Sequence, residues 1–161
     1  GISGIAGGAA VAGCCAQMVG FAVMSFKEDK WGGLVAQGIG TSMLQMGNIV
    51  KNPKIWIPPT LTAAITGPLA TCLFKMEMNG AAVSSGMGTC GLVGQIGVIT
   101  GWFAPSEIAI KNGASAITPN FMDWLGLVLS CFVLPAVLTW AIGLLFRKFN
   151  LIKEGDLLLE Q

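Results

Sequence analysis

The sequence predicts an all-α membrane protein with three or five transmembrane crossings and a glycine-rich segment suited to a re-entrant hairpin. Three observations lead there. Of the 161 residues, 53% are hydrophobic and only 11% charged, against roughly 25% charged in an ordinary globular chain. Residues 1–26 carry no charge at all, and about 20 apolar residues cross a hydrocarbon core of roughly 30 Å. The nine Lys/Arg and eight Asp/Glu gather in a few short segments, so a soluble fold would leave large apolar patches in water.

The composition also excludes chemistry. A net charge of +1 offers no basic field for nucleic acid. The absence of histidine removes the commonest general acid–base and the commonest metal ligand. Cys14, Cys15, Cys72, Cys90 and Cys131 form no CxxC pair, so a zinc site is not expected. They read as small buried hydrophobes with inert thiols. No cofactor and no metal are expected.

Charges and prolines divide the chain into apolar stretches at residues 1–26, 31–50, 55–74, 80–104 and 124–146, followed by a polar tail at 147–161. The first stretch has no basic flank and exceeds a signal-peptide core. It opens on Gly without an initiator Met, and the chain is therefore expected to be the later part of a longer polypeptide. Gly4, Gly8, Ala12, Ala16 and Gly20 place a small residue at every fourth position, the pattern of a close-packing seam in lipid. Gln17 beside the seam must face a partner or a watery cavity.

The second stretch is more polar. Gln37, Thr41, Gln45 and Asn48 fall on one face of a continuous helix, facing protein, water or the interface. They serve either interhelical hydrogen bonding or a polar substrate cavity. In the third stretch Pro58-Pro59 suits the first turn of a helix, and Gly67-Pro68 predicts a kink, as Pro135 does in the last stretch.

The fourth stretch contains Gly88, Gly91, Gly94 and Gly97. Gly86, Gly88 and Gly91 formally satisfy GxGxxG, but no preceding strand can be drawn and a dinucleotide fold is rejected. The repeat suits tight packing or an irregular backbone lining a substrate site, as in transporters. Glu77 and Glu107 flank this segment, as loop charges or as acidic contacts. Glu28, Asp29, Glu154, Asp156 and Glu160 read as solvated. Trp31, Trp56, Trp102 and Trp124 sit at stretch ends, where indole rings prefer the headgroup level.

Residues 31–50 and 80–104 are the weak spans, each open to reading as a re-entrant hairpin or an interfacial helix. Lys/Arg bias constrains them. If all five stretches cross, one side holds six cations (Lys27, Lys30, Lys75, Arg147, Lys148, Lys153) and the other three (Lys51, Lys54, Lys111). If both weak stretches fail to cross, the split sharpens to seven against two; if one fails, it collapses to five against four. An odd number of crossings, with a cytoplasmic C-terminal tail, is therefore expected.

Three runs carry a resemblance. They are Gly13-Cys14-Cys15-Ala16-Gln17-Met18-Val19-Gly20-Phe21-Ala22-Val23; Gly40-Thr41-Ser42-Met43-Leu44-Gln45-Met46, continuing through Asn48-Ile49-Val50-Lys51-Asn52-Pro53-Lys54-Ile55-Trp56-Ile57-Pro58-Pro59-Thr60; and Gly86-Met87-Gly88-Thr89-Cys90-Gly91-Leu92-Val93-Gly94-Gln95. Together they resemble the C-terminal half of a bacterial membrane protein family classed with subunit EIIC of the sugar phosphotransferase system. Some members of that family are named toxin regulators, after a perfringolysin regulator. The resemblance covers nearly the whole chain.

It implies a dimeric, multi-pass subunit of the bacterial plasma membrane that carries a sugar inward. Its partners would be the N-terminal half of the same protein and a cytoplasmic EIIB subunit that supplies the phosphoryl group, with no phosphorylated residue in EIIC itself. On that reading Gln45, Asn48, Thr89 and Gln95 hydrogen-bond the sugar, and Glu77 or Glu107 is the acidic contact. The Gly-Ile-Thr-Glu-type loop and the His of better-studied EIIC proteins are absent. A membrane-bound sensor that regulates gene expression and a secondary transporter independent of phosphoenolpyruvate are the alternative readings.

Overall fold

The computed structural model describes residues 2–159. Gly1, Glu160 and Gln161 lie outside the described residues, and the reading of Glu160 as a solvated tail residue falls there. The described residues form helices α1 (Gly4–Met24), α2 (Phe26–Val35), α3 (Met46–Lys51), α4 (Ile57–Pro68), α5 (Val93–Phe103), α6 (Glu107–Lys111) and α7 (Phe121–Lys148). The one β-type pairing among them is an isolated bridge between Gly4 and Met78. The fold is all-α. By length and apolar composition α1 and α7 are each able to cross a membrane.

Three helices make the frame: α1, α4 and α7 pack against one another along most of their lengths. The small-residue seam of α1 is where this happens. Ala12 and Ala16 are fully buried, and a methyl group added at Gly8 would land on the Met76 carbonyl. One added at Gly20 would meet Thr139 Oγ1 of α7 at 2.9 Å and Pro59 Cβ of α4 at 3.3 Å. Between α4 and α7, buried Thr139 Oγ1 donates to Thr62 Oγ1 at 2.9 Å.

The prolines act as expected. Pro58 and Pro59 lie in the first turn of α4. Pro68 is followed by a wide π-type turn at Leu69–Leu73, and a similar turn, Leu129–Val133, precedes Pro135. A proline lacks the N–H that would tie back to the preceding turn, and the widened turn absorbs the mismatch.

The bundle has two distinct ends. At one, here the tail end, Arg147 Nη2 donates to Glu28 Oε1 at 3.1 Å and to the Met24 carbonyl at 3.2 Å. The chain beyond α7 folds back there: Asn52 Nδ2 donates to Asp156 Oδ2 at 2.7 Å, and the Leu159 N–H to Asp29 Oδ1 at 3.0 Å. A small core of Phe21, Met24, Ile55, Ile152 and Leu157 seals this end. Glu28, Asp29 and Asp156, expected to be solvated, are instead the acceptors that hold the tail. At the far end the bridge joins Gly4 to Met78, the Ser106 N–H donates to the Asn79 carbonyl at 2.8 Å, and Trp102 packs edge-to-face on Trp124 at 5.1 Å.

Each weak stretch enters from one end and returns to it. After a backbone break at Lys30 (φ 51°), α2 runs into the π-type turn Ala36–Gly40, where Gln37 Nε2 donates to Ser25 Oγ at 2.7 Å. The chain turns at Thr41 (φ −152°, ψ 140°), and α3 leads back to the tail end. From the opposite end, residues 80–92 descend in short 3₁₀ turns and α5 climbs back. Gly80 lies against the Gly97 carbonyl, and Gly101 approaches Gly80 N and the Asn79 backbone. The lowest part of this loop reaches the middle of α1, where Gly88 (φ +55°) abuts Cys14 and Cys15.

One further expectation needs correction. Gln37, Thr41, Gln45 and Asn48 do not share a helical face, because the helix ends at Gly40, between the first and second of them. Gly38 and Gly40 weaken it there, and the Thr41 hydroxyl accepts the Met43 N–H and starts a new turn. Trp102, at the far end, is buried against Trp124, whereas Trp31, Trp56 and Trp124 are exposed.

The seam yields a matched test. Gly8→Ala places a methyl on a backbone carbonyl and should lower the melting temperature in detergent, in line with an overpacking cost of about 1–3 kcal/mol. Gly13→Ala, with open space around its added carbon, should leave it unchanged or raise it, since Ala favours a helix over Gly by about 1 kcal/mol.

Candidate functional site

Five of the six residues singled out in the sequence fall into three places, and Glu107 lies outside them. Gln45 and Asn48 lie at the tail end. Gln45 Nε2 donates to the Leu157 carbonyl at 2.8 Å, while Asn48 Nδ2 reaches Gln45 Oε1 at 2.7 Å and the Leu158 carbonyl at 2.9 Å. Both side chains are buried, and their amides clamp the tail. Their hydrogen-bonding capacity is largely used, which leaves little for a ligand.

Thr89 and Gln95 come together at the tip of the 80–104 hairpin. Three left-handed residues build that tip: Gly88, Gly91 and Leu92 at φ 55°, 54° and 59°. Two of them are glycine, for which this region carries no Cβ penalty. The Gly94 N–H donates to the Gly88 carbonyl at 2.9 Å and closes the turn. With its amide turned so that nitrogen faces carbonyls, Gln95 donates to Gly88 O at 3.1 Å and Leu92 O at 3.3 Å. The other end of that amide lies 3.1 Å from Cys15 Sγ. Thr89 is 1% exposed and its hydroxyl has no hydrogen-bond partner.

The tip meets the other hairpin. Its Cys90–Leu92 turn packs against Ala36–Gly40, the turn that rises from the tail end. Two segments of irregular backbone therefore touch, flanking the middle of α1. Thr89 Oγ1, Gln17 Oε1, Gln37 Oε1 and Ser130 Oγ are buried without partners, as are Glu28 Oε2 and Asp29 Oδ2 at the tail end. Gln17 Nε2 donates to Thr60 Oγ1 at 3.3 Å. Gln17 also lines a depression of about 250 Å³ with Ser42, Met43 and Trp56. A buried hydroxyl or carbonyl left unpaired costs about 1–3 kcal/mol.

Glu77 occupies the third place, the mouth at the far end. It accepts from Asn79 Nδ2 at 3.0 Å and borders two adjoining cavities. One, about 210 Å³, is lined by Lys75, Asn79, Trp102 and Asp123 among others. The second, about 220 Å³, adds Ser3 and Asn112. Carboxylates that accept paired hydroxyls, an amide and an indole suit a carbohydrate. Glu107 is exposed in the first turn of α6 and lines neither cavity. Asn79 and Asp123 were missed in the sequence. Asp123 also closes the capping box of α7: its Oδ2 accepts the N–H of the N-cap residue Asn120 at 2.8 Å.

No group of three or more metal-ligating side chains occurs among the described residues. All five cysteines are free, with Cys15 and Cys131 fully buried.

The described residues thus form a helical frame with two broken hairpins that reach inward. The particular family follows from comparison. The family model described as "Phosphotransferase system, EIIC" matches residues 1–159, and the chain belongs to that family. It is thus a membrane protein and a component of a sugar permease of the phosphotransferase system, which works with EIIB. No curated protein and no solved structure matches the chain.

The clamp and the tip should separate under mutation. Asn48→Ala frees the Leu158 carbonyl, and amide exchange at residues 157–159 should speed up by about fivefold, the equivalent of roughly 1 kcal/mol for a lost hydrogen bond. Thr89→Val removes an unpaired hydroxyl. Exchange in the tail should stay unchanged, and the melting temperature should hold or rise.

Proposed function

We propose that this chain is the sugar-translocating part of an EIIC permease that crosses the bilayer three times. The crossings are α1, α4 with its Leu69–Leu73 extension, and α7. The observation that carries this reading is the pair of hairpins that enter from opposite ends and meet beside the middle of α1. Irregular backbone is tolerated at membrane depth only where protein buries it or where it lines a polar cavity.

Charge supports the crossing number. Lys27, Lys30, Lys51, Lys54, Arg147, Lys148 and Lys153 belong to the segments at the tail end, and Lys75 and Lys111 to the far end. This is the seven-to-two distribution, and it makes the tail end cytoplasmic.

The sugar path then runs from the mouth to the hairpin tips. At the mouth Glu77 and Asp123 accept hydroxyl protons beside Asn79 and Trp102. At the tips Thr89 and Gln17 take over the hydrogen bonds, beside the Gln95 amide that shapes the turn. The phosphoryl group comes from EIIB on the cytoplasmic side, where the emerging sugar meets it. Among the residues first singled out, Glu77, Thr89 and Gln95 stay on this path, and Gln45 and Asn48 fasten the tail.

The test is uptake of a labelled sugar panel into proteoliposomes with EIIB and its phosphorylated donor. Sugar phosphate should accumulate inside only when EIIB is present. Glu77→Gln and Thr89→Val should each lower uptake by about tenfold, the equivalent of roughly 1.4 kcal/mol. Uptake without phosphoenolpyruvate would identify a secondary transporter. Ligand binding without uptake across the panel would identify a sensor.

Crossing number has its own test in a cysteine-free background. Lys51→Cys and Lys153→Cys should be labelled from the same face of sealed vesicles, and Lys111→Cys from the opposite face. Labelling of Lys51→Cys together with Lys111→Cys would establish five crossings instead.

A further inference from the structure

A groove of about 300 Å³ opens at the tail end between α1, α2 and α7. Its walls are apolar: Val23, Leu34, Trp140 and Leu144, with Phe26 and Trp31 at the entrance. Gly143 keeps the floor low, since a methyl there would lie 3.2 Å from Met24 Cγ. Trp31 is 71% and Trp140 56% exposed, and Trp31 packs edge-to-face on Phe26 at 5.4 Å. Lys27 and Arg147 are the charged side chains that line it.

The charge at the entrance is unbalanced. The segments beside the groove contribute Lys27, Lys30, Arg147 and Lys148 against Glu28 and Asp29. Glu28 Oε1 pairs with Arg147 and accepts the Gly155 N–H, Asp29 Oδ1 accepts the Leu159 N–H, and the second oxygen of each is buried without a partner; with Arg147 and Glu28 paired, Lys27, Lys30 and Lys148 stand against Asp29 alone. The backbone break at Lys30, a non-glycine residue at φ 51°, immediately precedes Trp31. Strain of this kind persists only where the surroundings over-determine it.

We infer that the groove is a binding site for one anionic phospholipid, its phosphate on Lys27 and Arg147 and an acyl chain between Trp31 and Trp140. Charge complementarity selects this occupant. Basic pockets between membrane helices on the cytoplasmic side take acidic headgroups, and a cleft walled by Leu, Val and Trp takes a hydrocarbon chain. The inference uses the orientation proposed above but neither sugar nor EIIB, so its test stands apart from transport.

The two tryptophans supply the readout. The protein is reconstituted in phosphatidylcholine vesicles containing brominated phosphatidylglycerol or, separately, brominated phosphatidylcholine at the same mole fraction. Tryptophan fluorescence should be quenched at lower mole fractions by the anionic lipid. Lys27→Gln should reduce that preference about fivefold, as expected for one cation at a lipid surface. Trp31→Phe combined with Trp140→Phe should abolish the difference between the lipids. Equal quenching by both lipids, quenching by neither, or an undiminished preference in the Lys27→Gln variant would overturn the inference. The lysine is exposed, so its substitution leaves the fold intact and keeps the test decisive if the double tryptophan variant misfolds.

Discussion

Close backbone approach along α1 is the constraint on which the rest of the structure depends, because lipid supplies no hydrophobic drive to press helices together. What remains is contact, and contact is greatest where side chains are smallest. Gly8 admits the Met76 carbonyl, Ala12 and Ala16 lie at full burial, and Gly20 admits both Pro59 and Thr139. The 80–104 hairpin uses the same surface, since Gly88 sits directly on the Cys14–Cys15 backbone. One helix therefore places the frame and the hairpin tip at once.

The polar side chains divide along the same axis. Toward the tail end the amides are tied, Gln45 to the Leu157 carbonyl and Asn52 to Asp156, while Glu28 Oε2 and Asp29 Oδ2 there are buried without partners. Near the tip, Thr89, Gln17 and Ser130 each keep an atom without a partner. A buried polar group is ordinarily satisfied, and the uncharged exceptions are Gln17, Gln37, Thr89 and Ser130. The mouth, with Glu77 and Asp123, is the polar approach to the tip.

Much of this was legible in the sequence because it rests on local rules. The four-residue spacing of small residues marks the seam, Pro58-Pro59 marks a helix start, and the glycines of residues 80–104 mark a broken segment. The Lys/Arg distribution narrows the topology to two choices. The Gln37–Asn48 stripe misled because it assumed one helix through Gly38 and Gly40, and two glycines and a capping threonine are enough to end one. The tail looked solvated because Leu157 and Leu158 are flanked by charges. Only the tertiary fold shows that Leu157 is fully buried and that Gln45 and Asn48 hold the backbone there. Asn79 and Asp123 escaped notice for a similar reason: they are distant in sequence and meet only when α7 closes the mouth.

The tail that returns to Asp29 and Asn48 has a mechanical consequence. It bolts the 31–51 hairpin at its base through Asn48 and Asn52, while the 80–104 hairpin is held mainly by the fit of its glycines and by the Gln95 amide. Local opening follows the weaker fastening. The two hairpins are therefore unequal springs: the one entering from the tail end is the stiff abutment, and the glycine-rich one opposite is the compliant arm that yields first.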